Sequence, residues 1–509
     1  MKQIANILFG RLMLGALIIM LQFGWFVYLI YSSTAANTAI NVGFQMIAVA
    51  LALYVANKDI RTSYKMSWIF LILFLPVFGC PAYFLFGHSS LTKKTRKYFK
   101  KVIDAAALHR SRDDENEKLL ESDNYYACKQ ARYLSRNAGY PLYRETDSRY
   151  FNSAEAAFPQ LLADLESAEK FIFMEYFIVE EGQMFDAIVS ILQKKAAQGV
   201  EVRLMYDDVG SIQTLPPHYE RVLENKGIRC VCFNPFRPVL SVIMNHRDHR
   251  KITVVDGKVA YTGGFNLADE YINAKEKYGY WKDAGLRITG ESVWSFTTMF
   301  LEMWDCMTGK ESDYESYRSR TENLPVSRGF IQPYADSPLD HEDVGENVYL
   351  NLISHAKKYV YIFTPYLIVG SEMKTALVNA AKCGVDVRIV VPGIPDKKLV
   401  YLLTQSYFAH LIKGGVRIYK YTPGFIHSKC FAVDDYYATV GTVNLDYRSL
   451  FLHFECGVSM YNTDTVMQVK EDMLATFEES HEVTLDECES RKLLVRMFMG
   501  ALKLFAPLL

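Results

Sequence analysis

Between residues 249 and 444 the chain carries one eighteen-residue pattern twice. HRKITVVDGKVAYTGGFN (249–266) and HSKCFAVDDYYATVGTVN (427–444) lay His249 on His427, Lys251 on Lys429, Asp256 on Asp434, Gly263 on Gly441 and Asn266 on Asn444, every pair 178 residues apart. Core packing selects apolar spacing and does not account for five polar or glycine positions at one offset. The flanks repeat as well. KFIFMEYFIV (170–179), an amphipathic stretch near 183–198 and GVEVRLMYDD (199–208) are matched by KYVYIFTPYLIV (358–369), a stretch near 371–383 and GVDVRIVVPG (384–393). Short apolar runs alternating with helical stretches predict βαβ units around a mostly parallel sheet. The expectation is an α/β fold: two duplicated halves related by a pseudo-twofold axis, with a site between them.

The repeated residue types point to phosphate chemistry. On a strand, H-x-K puts both side chains on one face. Lysine offers a compact charge to phosphate oxygen, and histidine serves as nucleophile, acid or base near neutral pH. Asparagine adds donors for charge developing on the phosphate. A dyad would gather two His, two Lys and two Asn around one phosphodiester. The lysines then supply the positive charge, so neither a metal nor another cofactor is expected, and there is no P-loop pattern. Asp256 and Asp434 each end a strand before a turn, DGK and DDY, which favours turn-forming or orienting roles. Glu175 and Tyr176 fall on Pro365 and Tyr366 at an offset of 190, making Tyr176 and Tyr366 candidates to line the pocket. Asp269, Glu270 and Glu455 follow the asparagines and are candidates to orient histidines. Glu455 is the best placed, because an acid inside the apolar run FLHFECGV needs a partner.

Composition narrows the classes. Half of the 509 residues are apolar, which excludes a disordered chain. Lys+Arg 56 against Asp+Glu 57 gives a net charge of -1, so no global field favours nucleic acid. Nine scattered cysteines argue for reduced thiols rather than a disulfide scaffold, with Cys230 and Cys232 reading as a plain strand.

The first ninety residues differ from the rest. Residues 12–31 are uncharged and long enough to span a bilayer, with Trp25, Tyr28 and Tyr31 suiting an interfacial belt. Residues 39–55 form a second uncharged run. A third, 68–86, is interrupted by Pro76, Gly79 and Pro81. Lys58, Arg61 and Lys65 before the third run, and six basic residues between 93 and 101 after it, both read as cytoplasmic. The expectation is that the third run bends into a re-entrant or interfacial hairpin. The basic run 93–101 is expected to attract anionic headgroups. The tail, 491–509, reads as an amphipathic helix. The expected organisation is a transmembrane or membrane-associated region (1–90), a basic juxtamembrane linker (91–150), a first half (151–308), a connecting segment (309–345), a second half (346–490) and the C-terminal helix (491–509).

The doubled pattern H-x-K-x4-D-x6-G-x2-N resembles the phospholipase D superfamily. NHRDHRKITVVDGKVAYTGGFNLADEY, KYGYWKDAGLRITG, FIHSKCFAVDD and ATVGTVNLDYRSLFLHFE are similar to bacterial cardiolipin synthase, and SYKMSWIFLILFLPVFGCPAYFLFG looks like that family's membrane region. The resemblance implies two phospholipase D-like halves behind a helical transmembrane region. It implies a catalytic set of His249, Lys251, Asp256, His427, Lys429 and Asp434; Asn266, Asn444, Glu455, Tyr176 and Tyr366, read from the residues, are placed on the substrate side. The implied reaction joins two phosphatidylglycerol molecules, donor and acceptor, into cardiolipin and glycerol. It would pass through a phosphatidyl-histidine at His249, with His427 as acid and base. Implied partners are anionic membrane lipids and not nucleic acid. The implied location is the bacterial cell membrane, multi-pass, with a cytoplasmic catalytic domain. A hydrolytic phospholipase D or nuclease, and a membrane scaffold with a dead site, are the rivals.

Overall fold

The structure, a computed structural model, describes residues 35–87, 93–110, 114–235, 246–319, 328–340 and 342–508, together with Met20 and Gly24. They fall into two units. The first apolar run, 12–31, lies outside the described residues apart from those two positions.

The smaller unit contains the helices Ala35–Ala56, Thr62–Phe74 and Pro76–Phe86, with the C-terminal residues from Leu494 onward. Val55, Trp68, Ile72 and Tyr83 form its core, and Leu508 packs against them. The third apolar run breaks at Leu75. Pro76 lacks an N–H and starts a new helix, and it drives the preceding residue out of the helical region, to φ -127 and ψ 67. The two helices fold back on each other at Gly79, where a Cβ would stand 2.3 Å from Leu71 O. Pro81 sits inside the second helix without ending it. Ser67 Oγ donates to Leu504 O at 2.6 Å and Phe70 meets Phe505 edge-on, which fastens the tail to this hairpin. Among the described residues, no helix is long and apolar enough to cross a membrane.

The larger unit holds two large sheets built alike and a two-stranded sheet. In the first half the strands are β1 (Thr146–Phe151), β2 (Phe171–Tyr176), β3 (Glu201–Asp207), β4 (Arg229–Phe233), β5 (Arg247–Asp248), β6 (Ile252–Val255), β7 (Val259–Gly263), β8 (Tyr280–Lys282) and β9 (Gly285–Gly290). In the second they are β10 (Phe330–Asp336), β11 (Tyr359–Phe363), β12 (Asp386–Pro392), β13 (Arg417–Tyr421), β14 (Gly424–Ile426), β15 (Cys430–Val433), β16 (Tyr437–Gly441), β17 (His453–Tyr461) and β18 (Ser480–Glu482). The orders are β1-β9-β7-β6-β2-β3-β4 and β10-β17-β16-β15-β11-β12-β13-β18; β8 and β14 form the two-stranded sheet.

The sheets are mixed, not mostly parallel. Within each main sheet β2-β3-β4 and β11-β12-β13 pair in parallel, whereas the strands of the repeated motif run antiparallel. The cause is local. Asp256 and Gly257 have φ 53 and 64, and Asp434 and Asp435 have φ 54 and 59. Two successive positive φ values give a tight hairpin turn, which reverses the chain where a helical crossover would have kept it parallel.

The two polar segments are also more structured than expected. Residues 91–150 contain the helices Lys93–Ala107, Asp114–Asp123 and Tyr125–Tyr133 and begin β1. The segment 309–345 supplies β10, the edge of the second sheet. Gln332 Nε2 donates to Ala131 O and Tyr140 O, joining the two segments.

Candidate active site

Each motif begins from a backbone tie. The Asp256 carboxylate accepts from the amides of Glu169, Lys170 and Phe171 at 2.7–2.8 Å, and Asp434 accepts from Lys357, Lys358 and Tyr359 at 2.6–2.9 Å. Both aspartates are therefore spent on starting β2 and β11. Their inclusion in a catalytic set gives way to a structural role, in line with the turn-forming expectation.

The ties also fix the register between halves. Lys170 matches Lys358 and Phe171 matches Tyr359, an offset of 188 and not 190. Tyr176 therefore has Thr364 as its counterpart. Tyr176 is buried in the core with its hydroxyl 2.8 Å from Thr253 Oγ1, so it does not line a pocket. Tyr366 is half-buried and donates to Asp396 at 2.6 Å.

The H-x-K tripeptides lie between strands rather than on them, as links from β5 into β6 and from β14 into β15. The short strands before them cross to the opposite half. β5 pairs in parallel with β17, and β14 with β8. His249 N donates to Phe454 O at 2.9 Å, and His427 N donates to Lys282 O at 2.7 Å. Each histidine is thus hung from the partner half. The rings follow the backbone: His249 Nδ1 meets the Glu455 carboxylate at 2.9 and 3.0 Å, and His427 Nδ1 meets Asp283 Oδ2 at 2.8 Å. An Nδ1–H held by a carboxylate leaves Nε2 as the reactive nitrogen.

Glycines make this closeness possible. Gly263 has φ 156, and a Cβ there would lie 2.4 Å from Ala284 O; one on Gly441 would lie 2.5 Å from Cys456 O. These contacts bring β9 and β17, with Asp283 and Glu455 at their entries, against the motif strands. Aromatic rings flank the imidazoles: Phe177 at 5.0 Å from His249, and Tyr271 and Trp281 each at 5.5 Å from His427.

Lys251 Nζ donates to His249 O at 2.7 Å, and Lys429 Nζ donates to His427 O. Both lysines are 1% exposed and both histidines 7%. Burial, then Lys251, His453, Lys429 and His427, pushes His249 well below the ordinary histidine range. Burial and Lys429 push His427 down to about 4, against the pull of Asp283. Burial lowers Lys251 to about 8 and Lys429 to about 7, against Glu455 and Asp283 respectively. Groups 178 residues apart therefore share one field. Such a surplus of buried positive charge is a trap for an anion.

The two carboxylates differ. Burial raises Glu455 well above its ordinary range, against Lys251 and the hydroxyls of Ser449 and Thr442. Asp283 overcomes its burial through His427, Lys429 and the Ala284 amide, and stands below its ordinary range.

Glu455 is filled by His249, Ser449 and Thr442, so it positions a histidine instead of meeting substrate. Asp269 caps the amides of Gln183 and Met184, and Glu270 pairs with Lys277, so neither orients a histidine. Asn266 accepts from Ile178 N and donates to Tyr271 Oη, while Asn444 Oδ1 is buried without a hydrogen-bond partner among the described residues. Ligand atoms of His249, His453 and Glu455 lie within 4.8 Å of one another, the one triad among the described residues with metal-like spacing. Its carboxylate is already occupied by the donors named above.

Asp283 was missed in the sequence. The signal was there: WKDAG and HFECG place Asp283 on Glu455 and Gly285 on Gly457, 172 residues apart.

The sequence pattern described as "Cardiolipin synthase, PLD-like domain" matches residues 161–304 and 349–477, one copy on each half. The chain belongs to the cardiolipin synthase family of the phospholipase D superfamily. A cardiolipin synthase 2 of Bacillus anthracis is 33% identical over 91% of this chain and 89% of its own length. A cardiolipin synthase of Alkalihalophilus pseudofirmus is 31% identical over 92% and 94%. An uncharacterised Streptococcus mutans protein is 43% identical over 91% of this chain and all of its own length. Residues 46–88 match an N-terminal region described for phospholipase D and nucleases. The fold is similar to that of a Haemophilus influenzae phosphatidylserine synthase, with a TM-score of 0.55 and 16% identity over 71% of this chain and 95% of that one.

Proposed function

We propose that this chain is a cardiolipin synthase, a phosphatidyltransferase that joins two phosphatidylglycerol molecules and releases glycerol. The observation that carries this reading is the crossed pairing, His249 with Glu455 and His427 with Asp283, over two buried lysines.

The asymmetry of the carboxylates supports a division of labour. Asp283, held ionised, favours an imidazolium at His427. His249, pushed far down, stays neutral with Nε2 available for attack. In the first step His249 Nε2 attacks phosphorus, the P–O bond to glycerol breaks, and His427 gives its Nε2 proton to the departing oxygen. The negative phosphodiester offsets the burial and lysine charge that hold His427 low. In the second step the hydroxyl of an acceptor phosphatidylglycerol gives its proton to His427, its oxygen attacks phosphorus, and the N–P bond breaks. Lys251 and Lys429 hold the non-bridging oxygens, joined by the amides of Asn266 and Asn444 once they turn toward substrate. One phosphodiester replaces another, so no nucleotide is consumed.

The proposed setting is the bacterial cell membrane, crossed more than once, with the catalytic unit in the cytoplasm and the helical hairpin at Leu75–Pro76 re-entering from that side. The charge pattern around the hairpin supports this. A membrane surface confines donor and acceptor and favours lipid alcohol over water.

Labelled phosphatidylglycerol given to the full-length protein in vesicles tests the reading. Cardiolipin and glycerol in equal amounts are expected; phosphatidic acid instead would favour the hydrolytic rival. Cysteine placed at Ser63 and Ser90 tests the topology. Neither is expected to react from outside cells, and external reactivity at residue 90 alone contradicts the hairpin.

A further inference from the structure

His453 stands beside the reacting pair and has no part in the steps above. Its ring lies 5.7 Å from that of His249, and its side chain is 10% exposed. Arg448 Nε donates to His453 Nε2 at 3.4 Å. A guanidinium cannot accept, so Nε2 carries the lone pair and the ring proton sits on Nδ1. That Nδ1 is buried and has no hydrogen-bond partner among the described residues. Glu455 Oε1 is 4.0 Å away, beyond bonding reach, and already accepts from His249 and Ser449. A buried donor without an acceptor costs about 1–3 kcal/mol, a cost that an acceptor oxygen on a ligand would relieve.

The surroundings are basic. Arg448, His246, Arg247 and Lys251 all act on His453. Burial pushes Arg448 below the ordinary arginine range; Asp446 and Asp207 do not make up the loss, and Arg247 adds to it. Arg250 is a contrast. It lies 2.5 Å from Glu175 and 3.3 Å from Asp248, and they lift it above its ordinary range although it is more deeply buried than Arg448.

We propose that Arg448 and His453, backed by Arg247, seat a second phosphodiester, that of the acceptor lipid. The proposal rests on the transferase reading and extends it. The donor phosphate sits between His249 and His427. The product carries two phosphates joined by a three-carbon bridge, and the 5.7 Å between the rings of His249 and His453 is on that scale. A guanidinium and an imidazole N–H are suited to phosphate oxygens. An acceptor held by its own phosphate delivers its hydroxyl to the P–N bond; free glycerol and water have no such handle. The seat therefore selects an anionic lipid alcohol.

The test compares two reactions of the full-length protein in phosphatidylglycerol vesicles: exchange of labelled glycerol into the lipid, and cardiolipin formation. Arg448→Gln and His453→Gln are each expected to raise the ratio of exchange to cardiolipin about tenfold or more. An unchanged ratio, with both reactions falling together, overturns the seat. If the variants do not fold, the wild type decides. Offered as soluble acceptors, glycerol phosphate is expected to show a KM about tenfold or more below that of glycerol, and equal KM values overturn the proposal. A wild type that performs neither reaction overturns the transferase reading and the seat with it. A working transferase with a fixed ratio overturns the seat alone.

Discussion

Lys429 offers a quantitative test of the electrostatic trap. Its ammonium is 1% exposed, and burial, opposed by Asp283 and helped by Lys251, lowers it from 10.5 to about 7. At ~1.36 kcal/mol per pH unit, that drop corresponds to roughly 5 kcal/mol of cost to the charged form, with on the order of 3 surviving relaxation. Between pH 7 and 10.5 the unfolded chain binds a proton that the folded one does not, so stability rises with pH across that window. Below about 7 both states are protonated and the whole cost is present. Lys429→Met removes the charge and keeps the length. The ligand-free full chain is expected to melt several degrees higher than wild type at pH 6.5, with the gap closing toward pH 10. Cardiolipin formation should fall on the order of 10³-fold, because the lysine's charge is used on the phosphate. Thermal melts across pH and a lipid assay measure both. A variant that melts no higher than wild type at pH 6.5, or by a margin independent of pH, refutes the reasoning.

Three further outcomes follow from particular contacts. Asp283→Asn should lower kcat by about 10³–10⁴ with little change in KM, since the His427 ring loses its fixed tautomer, and the pH profile of kcat should shift with it. Asp256→Ala removes three charge-assisted amide bonds and should cost about 3 kcal/mol or more in denaturant unfolding, without the large kcat loss expected of Asp283→Asn. Gly441→Ala drives a methyl to within 2.5 Å of Cys456 O and should displace β17 and Glu455, read as a loss of activity together with a lower melting temperature.

The duplicated halves and the gathering of His249, Lys251, His427 and Lys429 were legible because a repeat needs only identity at a constant offset. Three things were not. The sheet direction is hidden because β2-β3 and β11-β12 read as βαβ units, while the DG and DD turns reverse the motif strands through positive φ values that the sequence does not print. Tyr176 and Tyr366 coincide at an offset of 190, whereas the aspartate ties set the register at Lys170 and Lys358. Asp283 lies outside the 178 offset because the spacing from asparagine to acid differs, Asn266 to Asp283 against Asn444 to Glu455, and only the separate 172 offset reaches it. Segments rich in polar residues, 91–150 and 309–345, read as linkers because β1, β10 and Gln332 gain their partners only from distant chain.

The central claim is that one phosphorus is bound by one histidine and served by the other. Rapid acid-free quenching of the full-length enzyme with phosphorus-labelled phosphatidylglycerol, followed by peptide mapping, tests it directly. The account predicts up to one label per chain, on His249, as an acid-labile, base-stable N–P bond that disappears on adding acceptor lipid. Label on any residue other than His249, or turnover with no covalent label at all, would contradict it.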